Sequence, residues 1–215
     1  MAYSQDGVII VTGGEDGSLK LWNTTSGLCY CTLNAHTAPI TGCTFANNSV
    51  VMSSCLDGTV RAWDLHRYRN FRTYTSPSPC QFSCVAVDPA GEVLVAGTQD
   101  DFKIYTWNVQ TGKLLDVLPG HLGPLSSISF HPIRGTLASA SWDGTVKMWD
   151  LYKSENVPES MKHSKDVVCC AFRPDGVQCV TGTTAGILSV WNVDDCRLVC
   201  EIDGKLDITR GKYSV

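Results

Sequence analysis

The octapeptide Asp143–Asp150, which reads Asp-Gly-Thr-Val-Lys-Met-Trp-Asp, is the clearest copy of a motif that recurs along the whole chain. Close copies occupy Asp16–Asn23 and Asp57–Asp64. The tryptophans at the matching positions are separated by 41, 44, 42 and 42 residues. They are Trp22, Trp63, Trp107, Trp149 and Trp191. A fixed period in the low forties indicates a repeat architecture in which each repeat is one supersecondary unit.

The residues between the tryptophans predict short antiparallel strands. Alternating apolar residues bounded by Gly and Asp turns are typical of β-hairpins. In the fourth repeat we expect strands at Leu125–Phe130, Leu137–Ser141, Val146–Leu151 and, weakly, near Glu159–Met161. In the fifth repeat we expect them at Val167–Phe172, Gln178–Thr183, Leu188–Val193 and Arg197–Ile202. No segment longer than a turn has helical periodicity, so the predicted fold is all-β.

A Trp-Asp signature at this period is typical of WD40 β-propellers, which have four strands per blade. The chain contains about five blades, and WD40 propellers usually close at seven. We therefore expect an incomplete ring, a fragment of a larger propeller that aggregates when isolated because its sheet faces are exposed. The expected blades are residues 1–34 (with a truncated inner strand), 35–75, 76–118, 119–161 and 162–202, with 203–215 as the start of a further blade or a tail.

WD40 blades contain a hydrogen-bonded relay of four residues: a His before the first strand, a Ser or Thr in the second, the turn Asp and the Trp. Two repeats match all four positions, His36, Ser53, Asp57, Trp63 and His121, Ser139, Asp143, Trp149. In the first repeat the His would precede Met1. The third repeat lacks the His and has an extra residue at Asp100–Asp101, and the fifth has Ala185 in place of the Asp. Because these groups recur once per blade and do not converge, we expect them to be structural and not catalytic.

Composition limits the classes of function. The 215 residues carry a net charge of −4, so no overall field attracts nucleic acid, and any RNA contact must come from a local patch. The eleven cysteines form no Cys-x-x-Cys pair, and most lie in apolar stretches, so we expect small buried thiols in a reducing compartment. The start resembles no signal peptide, and no apolar run has the length of a membrane span. We therefore expect a soluble intracellular protein.

An enzyme is not expected from this sequence. It has no phosphate-binding Gly-x-x-x-x-Gly-Lys motif, no Gly-x-Ser-x-Gly nucleophile elbow and no His-Glu-x-x-His metal helix. We therefore predict no catalytic residues, no metal, no cofactor, no small-molecule substrate and no membrane partner.

Residues 56–92 resemble the periodic tryptophan protein 2 family. Blade geometry does not require the Arg-Tyr-Arg-Asn-Phe-Arg-Thr run at Arg67–Thr73, so its match is specific. Further matches extend the resemblance over nearly the whole chain, at Gln110–Asp116, Leu137–Asp143, Phe172–Gly176 and, more loosely, Lys205–Ile208.

The resemblance implies a scaffold in ribosome biogenesis. Members of this nucleolar family assemble the small-subunit processome and the small nucleolar ribonucleoprotein on pre-rRNA for 18S rRNA maturation. The partners implied are other processome proteins, including WD40 subunits of the same subcomplex, with pre-rRNA or small nucleolar RNA as further partners. The alternative is a WD40 adaptor of another class, such as a ubiquitin-ligase substrate receptor or a signalling scaffold.

Two regions are candidate contact surfaces. Trp142 precedes a turn Asp, where it either anchors a partner or packs against the neighbouring blade. Arginines interleaved with aromatics suit an acidic protein or RNA, and a solvated edge strand is the alternative interpretation. We favour a contact role, with protein ahead of RNA because the chain is acidic. The residues of this second region are Arg67, Tyr68, Arg69 and Arg72, with Arg134 and Arg173 on loops of the same side.

Overall fold

The computed structural model describes residues 1–151 and 155–204, which form twenty β-strands and no helix. In chain order the strands are β1 (Ala2–Tyr3), β2 (Ile9–Gly13), β3 (Ser18–Asn23), β4 (Cys29–Asn34), β5 (Ile40–Asn47), β6 (Val50–Cys55), β7 (Thr59–Asp64), β8 (Arg69–Thr75), β9 (Phe82–Val87), β10 (Val93–Thr98), β11 (Ile104–Asn108), β12 (Leu114–Leu118), β13 (Leu125–Phe130), β14 (Thr136–Ser141), β15 (Thr145–Asp150), β16 (Glu155–Lys162), β17 (Val167–Phe172), β18 (Gln178–Thr183), β19 (Ile187–Asn192) and β20 (Leu198–Asp203). The predicted all-β fold is confirmed.

Every four successive strands form one antiparallel sheet, which we number blades 1 to 5. The first strands of neighbouring blades contact each other, β5 with β9, β9 with β13 and β13 with β17, so these strands form the inner edge. Among the described residues, the larger contacts between sheets join only blades that are consecutive in the chain. The five blades therefore form an open arc, and the predicted incomplete propeller is confirmed.

The hydrophobic core is divided among the four junctions between blades. Leu19 and Leu21 of blade 1 pack in one buried cluster with Val51 and Trp63 of blade 2. Corresponding clusters join blade 2 to 3, blade 3 to 4 and blade 4 to 5. Alternation along each strand directs one set of side chains toward each neighbouring blade. Burying each large side chain contributes about 1.5–3 kcal/mol, so stability comes from stacking and not from single blades.

The turn before the third strand needs glycine for two reasons. Gly58 has a φ of +80°, in the left-handed region that glycine adopts without strain. A Cβ at Gly58 would also lie 2.9 Å from the carbonyl oxygen of Cys80 in the next blade. At Gly17 the corresponding Cβ would lie 2.7 Å from the carbonyl oxygen of His36. The turn of one blade therefore packs directly on the backbone that leads into the next blade.

Several strand limits differ from the expected ones. Strand β16 is eight residues long, because it pairs back to Asp150 after a register shift opposite Lys147 and Trp149. It ends at Lys162 and β20 ends at Asp203, each one residue beyond the expected end of its blade. Most of the expected segment 203–215, including the Lys205–Ile208 match, lies outside the described residues.

All eleven cysteines are free thiols, and they are less uniformly buried than expected. Five are buried, but Cys29, Cys169 and Cys200 are exposed. Cys169 and Cys200 belong to blade 5, the last blade of the described arc, where all residues of β20 are exposed. As for membranes, no helix that could cross a bilayer occurs in the described part of the chain.

Candidate functional site: hydrogen-bonded tetrads and exposed surfaces

Blade 2 brings His36, Ser53, Asp57 and Trp63 together. Nδ1 of His36 lies 2.9 Å from Oδ2 of Asp57, and its Nε2 lies 2.7 Å from Oγ of Ser53. The indole Nε1–H of Trp63 donates to the same Oγ at 2.8 Å. The chain of donors is complete when the imidazole carries its proton on Nδ1, because Ser53 can then donate its own proton to Nε2. We call this arrangement a tetrad.

Blade 4 contains a second tetrad with almost the same geometry. Nδ1 of His121 lies 2.8 Å from Oδ2 of Asp143, and its Nε2 lies 2.7 Å from Oγ of Ser139. Nε1 of Trp149 donates to Oγ of Ser139 at 2.7 Å. The hydroxyl of Thr145 also donates to Asp143 at 2.6 Å. The tetrad thus ties the loop before the first strand to the second and third strands of its own blade.

The ionisation of these groups follows from burial and hydrogen bonding. Burial lowers the pKa of His36 and His121 below the usual value of 6.5 and outweighs the neighbouring carboxylates. Burial opposes ionisation of Asp57, but hydrogen bonds from Thr59 and His36 outweigh it and lower the pKa of this carboxyl to about 2. At neutral pH the tetrad therefore pairs a neutral imidazole with a carboxylate.

The other three blades keep only parts of the tetrad. In blade 1, Nε1 of Trp22 donates to Oγ1 of Thr12 at 2.9 Å. Blade 5 has the Trp191 to Thr181 bond at 3.0 Å, with His163 2.7 Å from the same hydroxyl.

Blade 3 departs furthest from the pattern. Gly97 occupies the position of the second-strand hydroxyl, ten residues before the repeat Trp. Asp101 of the enlarged turn instead accepts the hydroxyl of Tyr105 at 2.7 Å and pairs with Lys103 at 3.4 Å. The turn is therefore held without an imidazole.

Among the described residues, one group has the composition of a metal site. The ligand atoms of His36, Cys55 and Asp57 lie within 4.8 Å of one another. However, the Cys55 thiol donates to the Ala38 carbonyl at 3.1 Å and accepts the amide of Asp57 at 3.3 Å. In blade 4, Ser141 makes the same two contacts, to Gly123 at 2.9 Å and from Asp143 at 3.1 Å. Cys55 therefore replaces a turn hydroxyl, and the arrangement needs no ion.

The antiparallel topology gives the propeller two faces. The tetrad face carries the loops before the first strands and the turns between the second and third strands. The opposite face carries the loops that join the first strand to the second and the third to the fourth.

Trp142 lies on the tetrad face and is 57% exposed. Its backbone amide donates to the Pro124 carbonyl at 3.0 Å, which fixes the turn. Leu122, 86% exposed, lies on the loop before β13 on the same face of blade 4, and its amide donates to Asp143 at 3.0 Å. Trp142 also borders a depression of about 470 Å³ beside Val168 of blade 5. Most of the indole is accessible to a partner.

The Arg67–Arg72 run begins in the loop after β7 and continues into β8. Arg67 is exposed, with only a 4.0 Å contact to Asp64, and Arg69 is also exposed. Tyr68 has a φ of +49° and lies in the turn, so the strand begins only at Arg69. Arg72 is half-buried, and its guanidinium packs on Gly112 of blade 3.

Arg134 and Arg173 are placed apart from this run. Arg134 pairs with Asp194 of blade 5 at 2.7 Å, and Arg173 pairs with Asp175 at 3.1 Å. Both lie on the opposite face of blades 4 and 5, and blade 3 separates them from blade 2. The six residues of the candidate region therefore form two groups, of which only the first contains arginines without a close carboxylate partner.

Tyr30 was missed by sequence reasoning. Its ring meets that of Tyr68 edge to face, with centroids 6.5 Å apart, and both rings are about half exposed. Tyr30 lies in β4 of blade 1, and no motif of the repeat indicates that it contacts the next blade. Together with Phe71, 46% exposed, these rings extend the basic run into an aromatic surface.

Comparison with known proteins agrees with the repeat structure. The family model described as WD domain, G-beta repeat, matches residues 1–23, 27–64, 112–150 and 157–192, which is well over half of the chain. The unmatched stretch between residues 64 and 112 contains the first three strands of blade 3, whose tetrad is the most altered.

Relatives match along the whole chain. Periodic tryptophan protein 2 homolog of Mus musculus is 50% identical over 213 residues, covering 99% of this chain and 23% of the mouse protein. Periodic tryptophan protein 2 of Saccharomyces cerevisiae is 47% identical over 215 residues, covering 100% and 23%. The homolog of Dictyostelium discoideum is 46% identical over 215 residues, covering 99% and 23%. The chain spans less than a quarter of the length of these relatives.

The resemblance that residues 56–92 indicated is thus confirmed over nearly every residue. The chain therefore belongs to the WD40 repeat family, and over its whole length it is similar to periodic tryptophan protein 2.

Proposed function

We propose that this chain is part of a non-catalytic scaffold that assembles the small-subunit processome on pre-rRNA in the nucleolus. The observation that carries the proposal is the similarity to periodic tryptophan protein 2 along the whole chain in a mammal, a yeast and a slime mould. This role is the one implied by the resemblance of residues 56–92, which the Arg67–Thr73 run makes specific.

The geometry supports scaffolding over catalysis. The two complete tetrads lie in separate blades, and each binds its His and Asp to neighbours within the same blade. Their polar atoms hold turns in place and do not converge on one site where a substrate could react. The surfaces left for function are loops, edges and exposed rings, which suit contacts with macromolecules.

Protein contacts are proposed ahead of RNA contacts. Two arginines of the candidate region are neutralised by aspartates, and the chain carries a net charge of −4. Arg67, whose contact with Asp64 is long at 4.0 Å, and the exposed Arg69 form a short local patch beside Tyr68. Such a patch suits an acidic segment of a processome subunit.

The experiment is affinity purification of the tagged full-length protein from cells, with and without RNase, read by mass spectrometry. Recovery of small-subunit processome proteins that survives RNase supports the proposal and the preference for protein contacts. Recovery that is lost with RNase supports the processome role through RNA. Recovery of ubiquitin-ligase or signalling components in place of processome proteins would overturn the proposal.

A further inference from the structure

A groove of about 450 Å³ opens between blades 3 and 4 on the opposite face. Its floor and walls are mainly apolar, with Leu118, Phe130 and Leu151 inside and Leu115 and Ile133 at the rim. The volume lies in the range of sites that take a small ligand or a few side chains of a peptide. No residue of the two tetrads or of the Arg67–Arg72 run lines this groove, but Arg134 does.

Specific substitutions leave this junction open. Between blades 2 and 3, the hydroxyl of Tyr74 donates to the Val109 carbonyl at 2.9 Å and spans the junction. Counted from the repeat tryptophans, the matching residues between blades 3 and 4 are Leu118 and Leu151. Leucine is shorter than tyrosine and has no donor, so it does not span the same gap.

The junction of blades 1 and 2 shows a second way of covering this position. There Leu33 and Leu65 are buried, with 5% and 7% exposure. Tyr30 and Tyr68, which contact each other edge to face, are about half exposed and lie nearer the solvent. The counterpart of Tyr30 in blade 3 is Leu115, which is 52% exposed. Blade 3 thus lacks both of the tyrosines that cover the blade 1–2 and blade 2–3 junctions.

The wall of the groove formed by blade 4 is held in place. Nδ1 of the buried His131 accepts the amides of Ile133 and Arg134 at 3.1 and 2.9 Å, and its Nε2 donates to the Gly176 carbonyl at 3.1 Å. The amide of Leu151 donates to the Gly135 carbonyl at 3.3 Å. A rigid wall lowers the entropy that a bound segment must overcome.

The charge of the groove is negative. Asp88 and Asp116 line it, and within the described residues neither carboxylate has an ion-pair partner. Asp116 is half-buried beside apolar side chains, where an opposite charge is screened less than on open surface. The cation at the rim, Arg134, is already paired with Asp194 at 2.7 Å.

We infer that this groove binds a segment of another protein in which an aliphatic or aromatic residue lies next to a lysine or arginine. The apolar side chain enters between Leu118 and Leu151, and the cation meets Asp116. This inference does not depend on the ribosomal role proposed above. The purification experiment tests that role, and the crosslinking experiment below tests the groove, so the two can fail separately.

The test introduces the photocrosslinking residue p-benzoylphenylalanine at Leu115 or Ile133 of the full-length protein in cells, with exposed Gln110 of the β11–β12 turn as the control position. Crosslinked peptides are sequenced by mass spectrometry.

Two variants test the groove. Leu118→Tyr introduces a tyrosine like the one that spans the blade 2–3 junction, and Asp116→Asn removes the charge with little change in shape. Asp116→Asn is expected to lower the crosslinking yield about tenfold, the loss that removing one charge-assisted contact produces. Leu118→Tyr is expected to lower the yield by at least as much, because the larger side chain fills the space that the apolar residue of the partner enters.

The crosslinked segment is then synthesised with its lysine or arginine intact or replaced by glutamate, and binding is measured by fluorescence anisotropy. The wild-type protein is expected to prefer the cationic peptide, and Asp116→Lys is expected to reverse that preference. Crosslinks that persist in both Leu118→Tyr and Asp116→Asn would overturn the inference. So would crosslinks no stronger than those at Gln110, or segments that lack a cation.

Discussion

Nε2 of His163 lies 2.7 Å from the hydroxyl of Thr181, but the buried Nδ1 of the same ring has no hydrogen-bond partner in the described residues. In blades 2 and 4 the matching nitrogen contacts an aspartate at 2.9 or 2.8 Å. Blade 5 has Ala185 six residues before its tryptophan, at the position of those aspartates. One of the four tetrad residues is therefore missing, and the cost of an unsatisfied polar atom remains.

Ala185→Asp is expected to stabilise the protein by about 1 kcal/mol, because the new carboxylate accepts the unpaired Nδ1–H. The free energy of unfolding in urea measures the gain. The control is the same substitution combined with His163→Ala, where the gain should disappear if it comes from this pair. An equal gain in both backgrounds would show that the aspartate acts on the turn alone.

Ser53→Ala is expected to destabilise the protein by about 2–3 kcal/mol. The substitution removes the acceptor of Trp63 Nε1 and the partner of His36 Nε2 at a position with no exposure. Ser164→Ala, at an exposed loop position, is the matched control and should change the free energy of unfolding by less than about 0.5 kcal/mol. If the two variants unfold at the same urea concentration, the tetrad adds little to stability.

The tryptophan period and the turn residues predicted the blades, because strand pairing and the tetrad hydrogen bonds form within one repeat. Contacts between repeats could not be predicted. The pairing of Tyr30 with Tyr68 and the packing of Arg72 on Gly112 depend on how adjacent sheets stack. For the same reason, the groove beside Leu118 is recognised only when the junctions between blades are compared, and no single sequence motif indicates it.

Stability is expected to fall as the pH is lowered below 6.5. Burial holds the pKa of His36 and His121 below that value, so the unfolded chain binds protons that the folded chain does not. Each imidazole reduces the free energy of unfolding by up to about 1.4 kcal/mol per pH unit, until the pH reaches its folded pKa. Asp57, with a folded pKa of about 2, loses its contribution only below about pH 3.8.

Urea unfolding at pH 7.5, 6.0 and 5.0 measures this dependence. His121→Gln removes one of the titrating groups and should reduce the slope, even though it also lowers stability at pH 7.5. A free energy of unfolding that is constant from pH 7.5 to 5.0 would contradict the assignment of neutral imidazoles to the tetrads.

Thiol reactivity should separate the cysteines by burial. Cys29, Cys169 and Cys200 are exposed and should react with a maleimide first. Burial raises the pKa of Cys84 to about 11 and that of Cys179 to about 12, so these thiols lack the reactive thiolate at neutral pH. Mass spectrometry after a short pulse on the folded protein should find label at the exposed positions, and rapid labelling of Cys84 or Cys179 would show that the inter-blade core opens.

Arg67→Ala combined with Arg69→Ala is expected to reduce recovery of partners without loss of stability, because both side chains are exposed and neither packs in a junction. Lys113→Ala, an exposed cation on the opposite face of blade 3, is the matched control. Quantitative mass spectrometry of the purified complexes measures recovery, and urea unfolding checks the fold. If RNase treatment leaves this decrease unchanged, the contact is with an acidic protein segment. If RNase treatment of the wild-type complex causes the same decrease, the contact is with RNA. Since Arg134 and Arg173 are paired with aspartates, their substitution should have the smaller effect.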